Sequence, residues 1–340
     1  MLSEKVVSHF NVVADFSNWT HEQWQEQRKN HYGLGTYTIG GSDAGVLMRV
    51  NKYKDVPTLY LEKKNVAHIE VSNEAVEWGN ILEPIVANKF KEKNQHLMVD
   101  EFHYLIQHRT IPYLVANIDR LIYDPELDEY GILEIKTASE YLRKEWANGN
   151  IPPSYYAQIQ HYFAVTGLEW GYFAVLIGGN TFHQVEVQRN QAYIDSYLFQ
   201  AEHFMERLDN DIPPELTGSD SSTEIVNTMY PQGTVEEILY LEGLDIEELL
   251  EKRDNLKFQI DHLKEQEAEC TNKLKILIGD YKKAEYNRGL ISYRVAWGNV
   301  KGRTTVDSKK LQADYPDVYK EVVKTGNPSR KFTVENLGGM

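Results

Sequence analysis

Residues 113–138 read YLVANIDRLIYDPELDEYGILEIKTA, and the rest of the chain is understood from them. Two β-type runs, 113–123 and 131–137, flank an acidic turn built on Asp124, Pro125, Glu126 and Asp128, which is the sequence signature of a hairpin. Side chains alternate along a strand, so Glu134 and Lys136 share one face while Leu133 and Ile135 share the other. On the preceding run Asp119 stands among Ile118, Leu121 and Ile122, where an ionised carboxylate is costly unless a cation or hydrogen-bond donors meet it. Two carboxylates and an amine so arranged can converge on a divalent cation and steer water beside it. The bland alternative is a solvated Glu/Lys pair with an aspartate near a turn.

Composition narrows the class. The chain has 340 residues, 41% of them hydrophobic, enough for a core of 200 or more residues and an appendage. No stretch approaches the roughly 18–20 continuous apolar residues of a membrane span, and the first residues lack the basic start and apolar block of a signal peptide. One cysteine, Cys270, leaves no internal disulfide and no multi-cysteine zinc or iron–sulfur site, so a reducing cytoplasm is expected. The net charge of −15 argues against a protein that coats nucleic acid over its whole surface. Residues 281–331, however, hold 12 Lys/Arg against 5 Asp/Glu. A polyanionic partner would meet a restricted basic surface, with metal ions offsetting the acidic site.

Upstream, residues 18–30 predict an amphipathic helix capped by Asn18 or Thr20, with Glu22 available for the reciprocal capping contact and Arg28 one turn beyond Trp24. In IGGSDAGVLM, Gly40 and Gly41 predict a tight turn, Ser42 and Asp43 are ready caps, and a helix begins at Ala44. A serine hydroxyl at such a turn is a natural anion contact, or simply a capped helix start. The glycines at 33, 35, 40 and 41 fit no nucleotide-binding fingerprint. Residues 75–93 predict a helix with an apolar stripe of Val76, Ile81, Leu82, Ile85, Val86 and Phe90, kinked or restarted at Pro84. Glu83, on the margin of that stripe, becomes a metal ligand only if this helix packs near the hairpin face.

Downstream, 141–150 predicts a short polar helix and 154–167 a longer one closed by Gly167. On it Gln158, His161 and Tyr162 lie one turn apart, with Gln160 on a different side. A strand pair around Gly178-Gly179-Asn180 and a helix over 191–208 complete a mixed sheet flanked by helices. Residues 209–248 read as an acidic linker, 249–285 as an amphipathic or coiled-coil helix interrupted by Arg253 and Glu267, and 286–340 as a small basic α+β segment of hairpin, short helix and final strand. Those interruptions favour docking on the same chain over a long dimer. Lys301, Arg303, Lys309, Lys310, Arg330 and Lys331, near Tyr293 and Trp297, are candidate phosphate-backbone contacts, with solvated surface charge as the alternative.

With these blocks in place the chain resembles the YqaJ-like viral recombinase family, phage-type exonucleases related to lambda exonuclease within the PD-(D/E)xK superfamily. The likeness runs through Arg28 with IGGSDAGVLM and YLEKKN, then GNILEP, ANIDRLI, GILEIKTA and IPPSYYAQIQHYFAVTG. It implies a restriction-endonuclease-like α/β fold over residues 1–208. Asp119, Glu134 and the Ile135 carbonyl match the family's ligands of catalytic Mg2+ or Mn2+, with two ions per site, and Glu83 matches the glutamate that helps hold the second. Lys136 matches the lysine that orients the attacking water, Gln160 or Gln158 the glutamine lining the site, and Arg28 with Ser42 the pocket for a 5′-terminal phosphate. The segment NHYGLGTYT makes the spacing from Arg28 to IGGSD longer than is usual in the family. The implied activity is 5′–3′ resection of linear duplex DNA, leaving 3′ single strands for a RecT- or Redβ-like single-strand annealing protein. The implied setting is the cytoplasm of a bacterial host, with the protein phage- or prophage-encoded and assembled as a homo-oligomer, in relatives a toroidal trimer. The alternatives are an endonuclease on the same fold and a non-catalytic protein-binding module.

Overall fold

The computed structural model describes residues 9–68, 74–324 and 331–334. The chain divides into two compact units, Met1–Pro231 and Gln232–Met340. Among the described residues, the first unit begins with β1 (Val12–Asp15), α1 (His21–Lys29), α2 (Gly41–Leu47), α3 (Val56–Lys63) and α4 (Glu74–Lys93). The strands β2 (Met98–Glu101), β3 (Tyr104–Gln107), β4 (Val115–Ala116), β5 (Arg120–Asp124) and β6 (Glu129–Ala138) follow. After them come α5 (Pro153–Thr166), β7 (Trp170–Ile177), β8 (Thr181–Gln188), α6 (Gln191–Asp209) and α7 (Asp220–Met229).

Five strands form the central sheet in the order β2-β5-β6-β7-β8, and β1, β3 and β4 form a smaller one. The expected hairpin is β5–β6, antiparallel, with Arg120 opposite Leu133. β6 and β7 run parallel, Glu134 opposite Phe173, and α5 makes the crossover that parallel neighbours require. α5 ends at Gly167, whose φ of +78° is the left-handed cap only glycine adopts without strain. The fold is therefore the mixed α/β sheet with flanking helices that the sequence predicts.

Alternation along β6 divides the core. Ile132 packs with the cluster of Phe163, Phe173, Tyr197 and Phe204 from α5, β7 and α6. Leu133 and Ile135 pack with Val86, Ala87 and Phe90 of α4. Glu134 and Lys136, in phase with Ile132, accordingly project toward the α5 side.

Several local expectations are corrected. Thr20 caps α1, and the reciprocal contact comes from Gln23, whose Oε1 accepts from the Thr20 amide at 2.8 Å, rather than from Glu22. Gln23 occupies the third helical position, the one that can reach back to the cap. α2 begins at Gly41, so Ser42 and Asp43 lie inside its first turn. α4 runs through Pro84 without a break. Pro84 is exposed, so water can serve the carbonyl its ring leaves unbonded. Of the expected apolar stripe on α4 only Val86 and Phe90 are buried, with Ala87 beside them, whereas Val76, Ile81 and Ile85 are exposed. The 141–150 segment is two 3-10 turns, Glu140–Glu145 and Ala147–Gly149.

The core continues beyond residue 208, to Pro231. α7 lies within the stretch expected as linker and is pinned by Asp55, which caps α3 through the Thr58 amide at 3.1 Å. The other Asp55 oxygen accepts from the hydroxyls of Ser219 at 2.7 Å, Ser222 at 2.6 Å and Thr217. Four donors on one carboxylate hold it well below its usual range, despite partial burial.

The second unit contains α8 (Leu244–Ile278), an antiparallel hairpin of β9 (Lys283–Arg288) and β10 (Ile291–Ala296), and the short helices α9 (Ser308–Asp314) and α10 (Pro316–Val322). α8 starts before and ends before the expected 249–285 helix. Residues 331–334 carry no strand, and the rest of the expected final strand lies outside the described residues.

Candidate active site

The 113–123 run breaks into β4 and β5, and Asp119 sits in the gap, one residue before β5. Its Oδ2 accepts the Ile135 amide at 2.8 Å, which ties it to β6 next to Glu134. Glu134 is 1% exposed. Its Oε1 receives Lys136 Nζ at 2.7 Å and Gln158 Nε2 at 2.7 Å, while its buried Oε2 has no hydrogen-bond partner. Gln158 lies on α5, the helix that covers this face of β6. The Tyr162 hydroxyl, one turn further along, meets Gln158 Nε2 at 2.8 Å. Lys136 Nζ also lies 5.1 Å from the centre of the Tyr155 ring.

Electrostatics set this cluster apart from an ordinary ion pair. Burial, and then the neighbouring Glu134 charge, push the Asp119 carboxyl up to about 7. Burial likewise raises Glu134, with Lys136 opposing it. Burial opposes the charge on Lys136, but Glu134 and Asp119 outweigh it and hold the ammonium above its usual range. One ammonium therefore serves carboxylates that still repel each other.

Glu83 comes from α4, which packs on the Leu133 and Ile135 face of β6 rather than on the face that carries Glu134 and Lys136, and its carboxylate is held by Arg120, Nη1 to Oε1 at 2.7 Å. Burial, and then Asp119, raise the Glu83 carboxyl, which places it within electrostatic reach of the cluster. Among the described residues, no three His, Cys, Asp or Glu side chains are already gathered as a metal-binding group. Asp119 and Glu134 nevertheless suit a divalent cation: the two buried carboxyl groups stand close enough to hydrogen-bond through a proton on one of them, no other donor meets Glu134 Oε2, and a cation can take that proton's place.

The two glutamines of AQIQ separate in space. Gln158 touches Glu134, whereas Gln160 is fully buried, donating to the Gln188 carbonyl at 2.8 Å and accepting from the Asn190 amide at 2.8 Å. His161 is also fully buried, with its ring nitrogens 2.6 Å from Tyr197 Oη and 2.8 Å from the Val115 carbonyl oxygen.

Arg28 and Ser42 meet despite the long spacing between them, Nη2 to Oγ at 2.8 Å. Next to Ser42, Asp43 accepts the Gly40 amide at 2.9 Å and Lys63 Nζ at 2.7 Å. Burial is outweighed by Lys63 and Arg28, which hold the Asp43 carboxyl down to about 2. The phosphate-pocket candidates and the carboxylates adjoin through one glycine: a Cβ on Gly41 would lie 2.4 Å from the Tyr162 ring, the ring whose hydroxyl meets Gln158. Only a residue without a side chain fits there.

Arg120, Tyr155 and Lys63 escape the sequence reading, and Tyr162 enters it only by its position, with no role given. The spacing of Gln158 and Tyr162 by one helical turn carried a signal, but Arg120 looked like one more hairpin charge. In the second unit, Lys301, Arg303, Lys309, Lys310 and Lys331 are exposed, and Arg330 lies outside the described residues. A groove of the first unit, about 720 Å³, is lined by residues of α2, α3, α6 and 213–217 and shares no residue with the carboxylate cluster. Among the described residues, no helix is long and apolar enough to cross a membrane.

Sheet order, crossover helix and carboxylate cluster define a mixed α/β protein with an ExK-type site, and the chain belongs to the YqaJ-like viral recombinase family. The profile of that family's domain matches residues 23–169, which include Arg28, Ser42, Glu83, Asp119, Glu134, Lys136, Gln158 and Gln160. YqaJ of Bacillus subtilis strain 168 is 34% identical over 332 residues, covering 96% of this chain and 98% of that protein. Among solved structures, an alkaline exonuclease of Laribacter hongkongensis in complex with dAMP is 24% identical, covers 55% of this chain and 94% of its own, and superposes with a TM-score of 0.45. A phage-related exonuclease of Haemophilus somnus is 13% identical, covers 54% of this chain and 98% of its own, and has a TM-score of 0.40.

Proposed function

We propose that this protein is a divalent-metal-dependent deoxyribonuclease that resects linear duplex DNA from its 5′ ends. The observation that carries the reading is Glu134: a buried carboxylate with one oxygen fixed by Lys136 and Gln158, the other without a donor, and Asp119 beside it. Asp119, Glu134 and the Ile135 carbonyl would hold Mg2+ or Mn2+, and Glu83 would serve a second ion. Such ions lower the pKa of water and offset phosphate charge, which also lets an acidic protein take a polyanion.

The chain's own groups do the remaining work. Lys136, restrained by Glu134 and the Tyr155 ring, places an ammonium where it can orient water and balance charge building on the phosphate. Gln158 fixes the Glu134 rotamer, and Tyr162 fixes Gln158. Arg28 and Ser42 grip the 5′-terminal phosphate by charge-assisted hydrogen bonds. In this reading the 3′ strand passes to a RecT- or Redβ-like annealing protein, the chain assembles with copies of itself, and phage or prophage recombination in a bacterial cytoplasm is the setting.

The test is digestion of linear and covalently closed circular duplexes with Mg2+ or Mn2+. Linear DNA is expected to be consumed and circles spared, with a preference for 5′-phosphorylated over 5′-hydroxyl ends that Ser42→Ala or Arg28→Ala reduces. Cleavage of closed circles at a comparable rate would replace the exonuclease reading with an endonuclease one. Undiminished digestion by Glu134→Ala or Lys136→Ala would remove this site from the chemistry altogether.

A further inference from the structure

α8 is a single helix of 35 residues, about 50 Å long by its rise per residue. Eight of its apolar side chains fall on a seven-residue repeat, while Phe258 and Ile276 stand off it. One row is Leu249, Leu256, Leu263, Cys270 and Leu277; the other, offset by three, is Ile246, Arg253, Ile260, Glu267 and Leu274. This is the a/d pattern of a coiled coil. The aliphatic members Leu249, Leu256, Ile260, Leu263, Leu274 and Leu277 are between 45% and 81% exposed. A seam of that length and exposure is incomplete as a single strand.

The two polar members of the seam decide what completes it. In a parallel, in-register pair or triplet of copies, each Arg253 meets Arg253 and each Glu267 meets Glu267, which places like charges in the core. In an antiparallel pair with full overlap, Ile260 packs on Leu263 of the other copy and Leu249 on its Leu274. Arg253 then lies opposite Cys270 of the other copy and one layer from its Glu267, within reach of a long guanidinium. The two-fold axis makes that contact twice. The charges that look like interruptions in one strand thus complement each other in an antiparallel pair.

We infer that α8 is an antiparallel dimerisation helix, its partner being α8 of a second copy of this chain, registered by Arg253 against Glu267. None of the residues assigned to the nuclease site lies on α8, so this inference stands or falls independently of the proposed activity.

The test is the mass of the full-length protein by analytical ultracentrifugation across micromolar concentrations. The expected result is a dimer, or an even multiple of one where the cores also associate. Arg253→Glu should weaken the pairing by about tenfold or more, and Arg253→Glu combined with Glu267→Arg should restore it. Orientation is read separately by mild oxidation: Arg253→Cys should cross-link through Cys270 of the other copy, and the unmodified chain should not. A monomer at these concentrations, an odd-numbered assembly, a charge swap that fails to restore the single reversal, or cross-linking of the unmodified chain would each overturn the inference. Circular dichroism of each variant separates lost pairing from lost helix.

Discussion

Arg120 joins two parts of the site through one guanidinium nitrogen: Nη1 donates to Glu83 Oε1 at 2.7 Å and to the backbone carbonyl of Asp119 at 2.6 Å. Asp119 and Leu121 belong to the α5 side of the sheet, whereas Arg120, in phase with Ile122, turns to the α4 side where Glu83 waits. Replacing Arg120 with methionine leaves Glu83 without its cation beside two other carboxylates. The expected loss is about 2–3 kcal/mol of unfolding free energy, read from denaturant midpoints, and added Mg2+ should recover part of it. An unchanged midpoint would mean that the pair does not hold the cluster together.

The glutamines of α5 should separate by assay. Gln158→Ala removes a donor from Glu134 and should lower kcat about tenfold to a hundredfold with the fold intact. Gln160→Ala leaves the Gln188 carbonyl and Asn190 amide unpaired. It should cost about 1–3 kcal/mol of stability while the folded fraction keeps its kcat. The reverse pattern would exchange their roles.

Cation affinity should depend on pH in a stated direction. A divalent ion binds the ionised carboxylate, and Asp119 loses its proton only near pH 7. Below that pH binding must expel a proton, so affinity should fall by up to about tenfold per pH unit and level off above it. Mn2+ calorimetry at pH 6, 7 and 8 checks this, together with proton uptake by the buffer at pH 6. Affinity that is flat across that range would contradict the assignment.

Gly41→Ala tests the link between the phosphate pocket and the carboxylates. At the first position of α2 alanine adds less than the about 1 kcal/mol of propensity it brings to a helix interior, and its Cβ would press on the Tyr162 ring at 2.4 Å. Overpacking against an aromatic ring buried on α5 costs about 1–3 kcal/mol, so the clash should win and stability should fall. Turnover should fall as well, because Tyr162 moves with Gln158 attached. A stabilised, fully active variant would show that the ring yields freely.

What the sequence determined by itself is local and periodic. The β5–β6 hairpin followed from its acidic turn, the shared face of Glu134 and Lys136 from strand alternation, and the end of α5 from Gly167. Motif order was enough to identify the family. What only the tertiary structure decided depends on which element covers which face. Sequence offered Gln158 and Gln160 equally, and the packing of α5 on β6 turned only Gln158 toward Glu134. It offered Glu83 as a ligand, and the opposite phase of Arg120 supplied it with an ion pair. It read 209–248 as linker from its charge, and the hydroxyls around Asp55 bound part of it to the core. Periodicity reports the direction of a side chain relative to its own strand or helix. The partner waiting in that direction is set by contacts between residues far apart in the chain, which no local pattern records.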